Sequence, residues 1–420
     1  KAMLIKLENG HNGNIVVKTA LDLDNATLRI RKIKSAYDGI KFSVGGFSLD
    51  RSYGSDSNWE MLLIELSQDE NNSLDMVFEK YGFSKNLDSE FYKRVSGGDY
   101  LNWLFFIYLK SKAETLQNGY LRFVLDKTDR FEDFVSNILN EIIEIPHTDK
   151  RFSSFYQERK TLVEKFPESD IASFVANNRH KISESIYKLT DNTRVEREEI
   201  VAWLSQNGVI PELEEIYPTL AAYLKKYIFK CPELADLLTD YFEAYKRQKL
   251  SNKLESSHLE QVNELAVSRQ FNQLTSRSEI IDGMDKSGTY LYWLDALGVE
   301  YLSLIETLAQ QRGLSIRVHI ARAELPTITS INRSFYDDWQ GGKQKNPELD
   351  EVKHKDKGGY SFANNDLPIH LARELDIIVE TMDKAATELA LRSCKRFLIV
   401  SDHGASRLAV IHRKEEKYQT

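Results

Sequence analysis

The chain has 420 residues, enough for about two to three domains. Its 41% hydrophobic and 11% aromatic content supports large cores and excludes global disorder, and a net charge of −8 removes the global basic field behind non-specific nucleic-acid binding while leaving room for a local basic groove. Two distant cysteines, Cys231 and Cys394, and only 8 prolines exclude a disulfide scaffold, a Cys-rich zinc module and a Pro-rich chain.

Lys1-Ala2 ahead of Met3 reads as an added segment, and no signal peptide is visible. Residues 1–58 read as a small antiparallel β domain. Met3–Leu7 and Ile15–Val17 flank a turn-rich stretch, Leu28–Arg31 alternates, and Asp38-Gly39 between Ile33 and the Ile40–Val44 run is a hairpin signal. Residues 59–285 read as a helical domain. Trp103–Leu109 is the most apolar stretch, at roughly half the length a bilayer-spanning helix needs. Phe131, Phe134, Val135, Ile138, Ile142 and Ile145 follow a helical period, as do Leu234, Leu237, Leu238, Tyr241, Phe242 and Tyr245 after Pro232. Such stripes are first a burial signal.

From residue 286 the texture becomes βα alternation. Strands are expected at Tyr290–Leu294, Leu314–Ile320 and Arg396–Val400, with helices over Val299–Gln311 and Leu371–Leu391. That pattern predicts a mostly parallel sheet covered by helices. Trp339–Gly359, with two Gly pairs and mixed charges, reads as a mobile surface excursion or a lid.

Ligands of open α/β sheets bind beyond the carboxyl ends of the strands. Three polar groups stand at or near such ends: Asp295, Asp402-His403, and Asp366 with His370. Asp and His together suit a divalent ion such as Zn or Mn, with Mg a further choice. Thr329 or Ser330 is the candidate nucleophile, placed where a helix could begin; an N-cap cluster is the plainer reading of the same residues. Arg333 could contact a phosphate oxygen or be a solvated helix residue. Lys343, Lys345, Lys353, Lys355 and Lys357 could line a DNA groove or a solvated loop. Walker A, HExxH, GxSxG and GxGxxG patterns do not occur.

In their order, Tyr292-Trp-Leu-Asp-Ala-Leu297, Pro326-Thr-Ile-Thr329 and Phe397-Leu-Ile-Val-Ser-Asp-His-Gly404 resemble the alkaline phosphatase superfamily, and within it the PglZ family of BREX-type phage-defence systems. The resemblance covers residues 286–420. It implies an alkaline-phosphatase-like core and a metal-dependent phosphoester hydrolase (phosphatase, phosphodiesterase or nuclease) of a cytoplasmic antiviral defence system. Thr329 would be its nucleophile, Asp295, Thr329, Asp402 and His403 would hold one metal, and Asp366 and His370 would belong to a second. It also implies other defence-system proteins as partners, with DNA as a candidate and no membrane. The family's downstream His-Gly-Gly motif does not occur, which leads us to expect a core incomplete at its C-terminus. The alternative is a structural or regulatory subunit of such a complex with a residual phosphatase-like core, because two-thirds of the chain carries no catalytic motif. A phosphomutase or a sulfatase-like enzyme is the third reading.

Overall fold

The computed structural model describes residues 32–68, 73–181, 186–231, 234–354 and 367–404. The expected strands at 3–7, 15–17 and 28–31 lie outside them, as do Pro232, Asp366, Lys355 and Lys357. The chain divides into two compact units, residues 1–178 and 179–420, with the division inside the expected helical segment.

The described part of the first unit is helical. Where a hairpin is expected at Asp38-Gly39, the structure has the helix Ala36–Ser43. Ser35 decides this: its hydroxyl accepts from the Asp38 N–H and donates to the Asp38 carboxylate, so a capping arrangement overrides the turn signal. The Trp103–Leu109 stretch is the buried part of the helix Tyr100–Ser111. The Trp103 indole donates to the Tyr53 carbonyl at 2.8 Å and meets Trp59 edge-on at 5.0 Å. A Cβ at Gly54 would lie 2.5 Å from the Trp103 ring nitrogen, so only glycine fits there. The 131–145 stripe buries the expected face but not as one helix. It is split into Phe131–Asp133, Phe134–Asn140 and Glu141–Glu144. The buried Tyr120 hydroxyl donates to the Ile138 carbonyl and accepts from the Ile142 N–H, while Arg159 donates to the Leu139 carbonyl. Side chains thus satisfy backbone groups that the break exposes.

In the second unit three parallel strands form one sheet in the order β2-β1-β3: β1 is Thr289–Leu294, β2 Lys343–Asn346 and β3 Arg396–Val400. Central β1 pairs Leu294 with Asn346 on one side and Trp293 with Val400 on the other. The helices Leu302–Gln311 and His370–Ala390 occur where periodicity places them, and both carry amphipathic faces. Arg194–Asn207 packs on His370–Ala390, and Pro218–Leu224 packs on Leu302–Gln311 as well as on His370–Ala390. These contacts explain why helices ahead of residue 286 cluster with the sheet.

Two expectations fail in this unit. Leu314–Ile320 is extended but pairs with no strand among the described residues. Its alternation leaves Ile316 exposed, and Ile320 packs instead against the Phe229–Leu238 cluster. The Trp339–Gly359 excursion in turn contains β2 and the helix Glu348–His354. No helix among the described residues is long and apolar enough to cross a membrane. Cys231 and Cys394 are unbridged.

Candidate functional site

Parallel strands put their carboxyl ends on one edge, so the residues following β1, β2 and β3 become neighbours despite their separation in sequence. Asp295 follows β1 directly, and its N–H donates to the Asn346 carbonyl at the end of β2. Asp402-His403 follows β3. The fourth element, Thr329, opens the one-turn helix Thr329–Asn332.

Arg277 and Asn332 hold that turn against the end of β3. The fully buried Asn332 amide donates to the carbonyls of Glu324, Pro326 and Ile328, closing the loop ahead of Thr329. Buried Arg277 donates to the Asn332 backbone and side-chain oxygens at 2.9 and 3.1 Å, and to the Asp402 carbonyl at 2.5 Å. One guanidinium therefore joins the Thr329 turn to the Asp402 strand end.

Asp402 is fully buried and every contact of its carboxylate is specific. Oδ1 accepts from the Trp293 indole at 3.1 Å and from the Ala296 N–H at 3.4 Å; Oδ2 accepts from the Thr329 hydroxyl at 2.8 Å. The Ala296 N–H is aimed there by a left-handed backbone, φ 61°, at a non-glycine residue. The Thr329 side chain makes no N-cap bond, so the capping reading is replaced by a contact across the site. His403 Nε2 lies 3.3 Å from the Thr329 hydroxyl, 3.3 Å from Asp402 Oδ2 and 3.9 Å from Asp295 Oδ1. Its Nδ1 is 3.2 Å from the Gly404 carbonyl. A carbonyl can only accept, so that contact is made by an Nδ1–H, and Nε2 is the ring nitrogen that faces the carboxylates.

Asp295 is 4% exposed and divides its oxygens between two tasks. Oδ2 pairs with the Lys345 ammonium at 2.6 Å, which also stands 3.7 Å from the centre of the Trp293 ring. Oδ1 is buried and has no hydrogen-bond partner among the described residues. Burial pushes the Asp295 carboxyl up to about 6; Lys345 opposes the rise and neighbouring Asp402 adds to it. For Asp402 burial also pushes upward, but the Thr329 hydrogen bond and His403 outweigh it and hold that carboxyl below its ordinary range. Without a bound cation the pair therefore carries one proton, on Asp295, below pH about 6. The folded pKa of Asp295 lies above its unfolded value, so its stabilising contribution is complete below pH about 4 and is lost as the pH rises through about 6. A cation must displace that proton. Mn²⁺ affinity measured by calorimetry should therefore fall roughly tenfold per pH unit below pH 6 and level off above pH 7, whereas affinity independent of pH from 5 to 7 would contradict this assignment.

The orphaned Asp295 oxygen, with His403 Nε2 facing it, forms a mixed oxygen and nitrogen donor set that a divalent cation would fit. A third carboxylate, Asp350, stands with them. The structure thus brings together Asp295, Thr329, Asp402 and His403. The Nε2 of His370 is 3.6 Å from Glu374 within a different, buried group of charges. Arg333 is exposed and paired in two bonds with Asp337. Among the lysines proposed for a groove, Lys343 donates to the Tyr336 carbonyl and Lys353 is buried. Sequence reading missed Arg277, Trp293, Asn332 and Asp350 as site residues, and placed Lys345 only in a DNA groove or a solvated loop. Only Asp350 carried a usable signal, an acid following Asn346-Pro347 at what proves to be a strand end.

Residues 40–207 match a family model described as a domain of unknown function, DUF7863. That match ends well before β1. No curated protein and no solved structure matches the chain.

Proposed function

We propose that the second unit is a metal-dependent phosphoester hydrolase with Thr329 as nucleophile, of the alkaline-phosphatase-like, PglZ type that its motifs resemble. The observation that carries this reading is the convergence of Thr329, Asp402, His403 and Asp295, drawn from three separate parts of the chain, on contacts of 2.8 to 3.9 Å. Asp295, Asp402 and His403 would hold the ion, with the Thr329 hydroxyl beside them. A bound divalent ion would lower the hydroxyl's pKa and offset charge on the phosphoryl oxygens.

The remaining work falls to the chain itself. Asp402 Oδ2 orients the Thr329 hydroxyl by accepting its hydrogen, and Trp293 and Ala296 keep that carboxylate ionised and aligned. Thr329 Oγ forms a bond to phosphorus, its proton passing by way of Asp402 Oδ2 to solvent, as the phosphorus–ester oxygen bond breaks and that oxygen leaves as an alcohol or phenol, taking up a proton from solvent. Attack of water on the resulting phosphothreonine releases phosphate and restores the hydroxyl. Lys345, ionic and part-exposed on Asp295, is the described ammonium next to this group. Zinc or manganese suits the mixed oxygen and nitrogen donors. A role in phage defence, with other defence proteins as partners, follows from the same resemblance. Turnover of an aryl phosphate or phosphodiester that requires added Mn²⁺ or Zn²⁺ and disappears in Thr329→Ala supports the proposal; undiminished turnover in that variant refutes it.

A further inference from the structure

We infer that Asp350 is a metal ligand, completing with Asp295 Oδ1 and His403 Nε2 a cation site built from the ends of all three strands. This rests on the hydrolase reading for the placement of the ion beside Thr329, and adds a ligand that no motif supplies. Asp295, Asp350 and His403 each offer a donor atom within 4.8 Å of the others. The Asp295–His403 separation of 3.9 Å is close to the about 3.4 Å expected between two ligands of one tetrahedral ion. An acidic cluster alone would be weak evidence. The independent observation is the buried Asp295 Oδ1, which has no hydrogen-bond partner among the described residues and faces His403. A buried oxygen in that condition costs about 1–3 kcal/mol unless a ligand satisfies it.

The fold also fixes Asp350 in place. It lies in the first turn of Glu348–His354, whose start is set by the Asn346 side chain accepting from the Glu348 N–H at 2.9 Å. One turn on, buried Lys353 donates to the Ala296 carbonyl at 3.0 Å and lies 3.4 Å from Glu300. The helix that carries Asp350 is thereby pinned to the residue after Asp295, so the two carboxylates move as one body.

The test is calorimetric titration of the full chain with MnCl₂ and, separately, ZnCl₂, with the metal-induced melting shift as a second readout. Asp350→Asn should weaken binding at least tenfold and remove most of the shift, while its metal-free melting temperature stays at the wild-type value. Asp350→Glu should retain binding within a few-fold, and the exposed control Glu348→Gln should match wild type. Binding by Asp350→Asn within twofold of wild type, or no binding of either metal to the wild type, overturns the inference. Should Asp350→Asn fail to fold, an Asp350→Ser protein that folds and binds metal as tightly as Asp350→Glu overturns it equally. Neither readout uses turnover: an active Thr329→Ala protein would refute the hydrolase reading while loss of metal in Asp350→Asn would still stand.

Discussion

Thr329→Ala should lower aryl-phosphate turnover by about 10³-fold or more, the scale seen when a covalent nucleophile is removed. The fold should not change. Thr329 is only part-buried, and its side chain makes no cap for its own helix, so removing it deletes one hydrogen bond to Asp402 and little packing. The melting temperature should shift by no more than a few degrees. Thr329→Ser keeps a hydroxyl 2.8 Å from Asp402 Oδ2 and should retain measurable turnover. The contrast between the Ser and Ala variants separates a nucleophile from a packing residue. Equal activity in both would leave Thr329 without a chemical role.

The second large effect concerns stability. Behind the Asp295–Ala296 turn lies a buried ionic group that no phosphoryl-transfer step uses. Lys249, 2% exposed, pairs with fully buried Glu374 at 2.5 Å; the Tyr301 hydroxyl donates to the same Glu374 oxygen, and Glu300 lies 4.0 Å from the ammonium. Burial pushes the Glu374 carboxyl up, but Lys249, His370 and Lys353 outweigh it and hold that carboxyl well below the usual range. Glu374 is therefore ionised in the fold, while burial pushes the Lys249 ammonium down against the pull of Glu374. Lys249→Met should cost about 3–5 kcal/mol, because it strands a buried carboxylate rather than merely deleting a contact. Lys249→Met combined with Glu374→Gln should recover most of that loss. Urea unfolding with an unchanged slope measures both. A single-variant loss under about 1 kcal/mol would show that water reaches this group.

Much of this site was legible in the sequence, for one physical reason. Tyr290–Leu294 is buried along almost its whole length and reads as a continuous apolar run, and Phe397–Val400 is equally apolar although half-buried before Val400, so both stand out, and with them the acids that follow. β2 has no such signature. Lys343-Gln-Lys-Asn346 is an edge strand of four half-buried polar residues whose pairing lies in the backbone, so Asp350 and the pairing of Lys345 with Asp295 were hidden with it. Leu314–Ile320 is the converse, an alternating pattern that forms no described strand, with Ile316 exposed and Ile320 packed against the Phe229–Leu238 cluster. Arg277 was invisible for another reason. It meets Asp402 across 125 residues through backbone carbonyls, which leave no mark on composition or period. At Ser35 a capping signal and a turn signal overlapped, and the stronger local bond prevailed.

The central claim is that a divalent ion sits beside the Thr329 hydroxyl. Crystals grown with MnCl₂ and measured at the manganese absorption edge test it most directly. The account predicts an anomalous peak in contact with Asp295, Asp350, Asp402 or His403 and adjacent to Thr329 Oγ. A map with manganese elsewhere on the second unit and none at the ends of the three strands would contradict it.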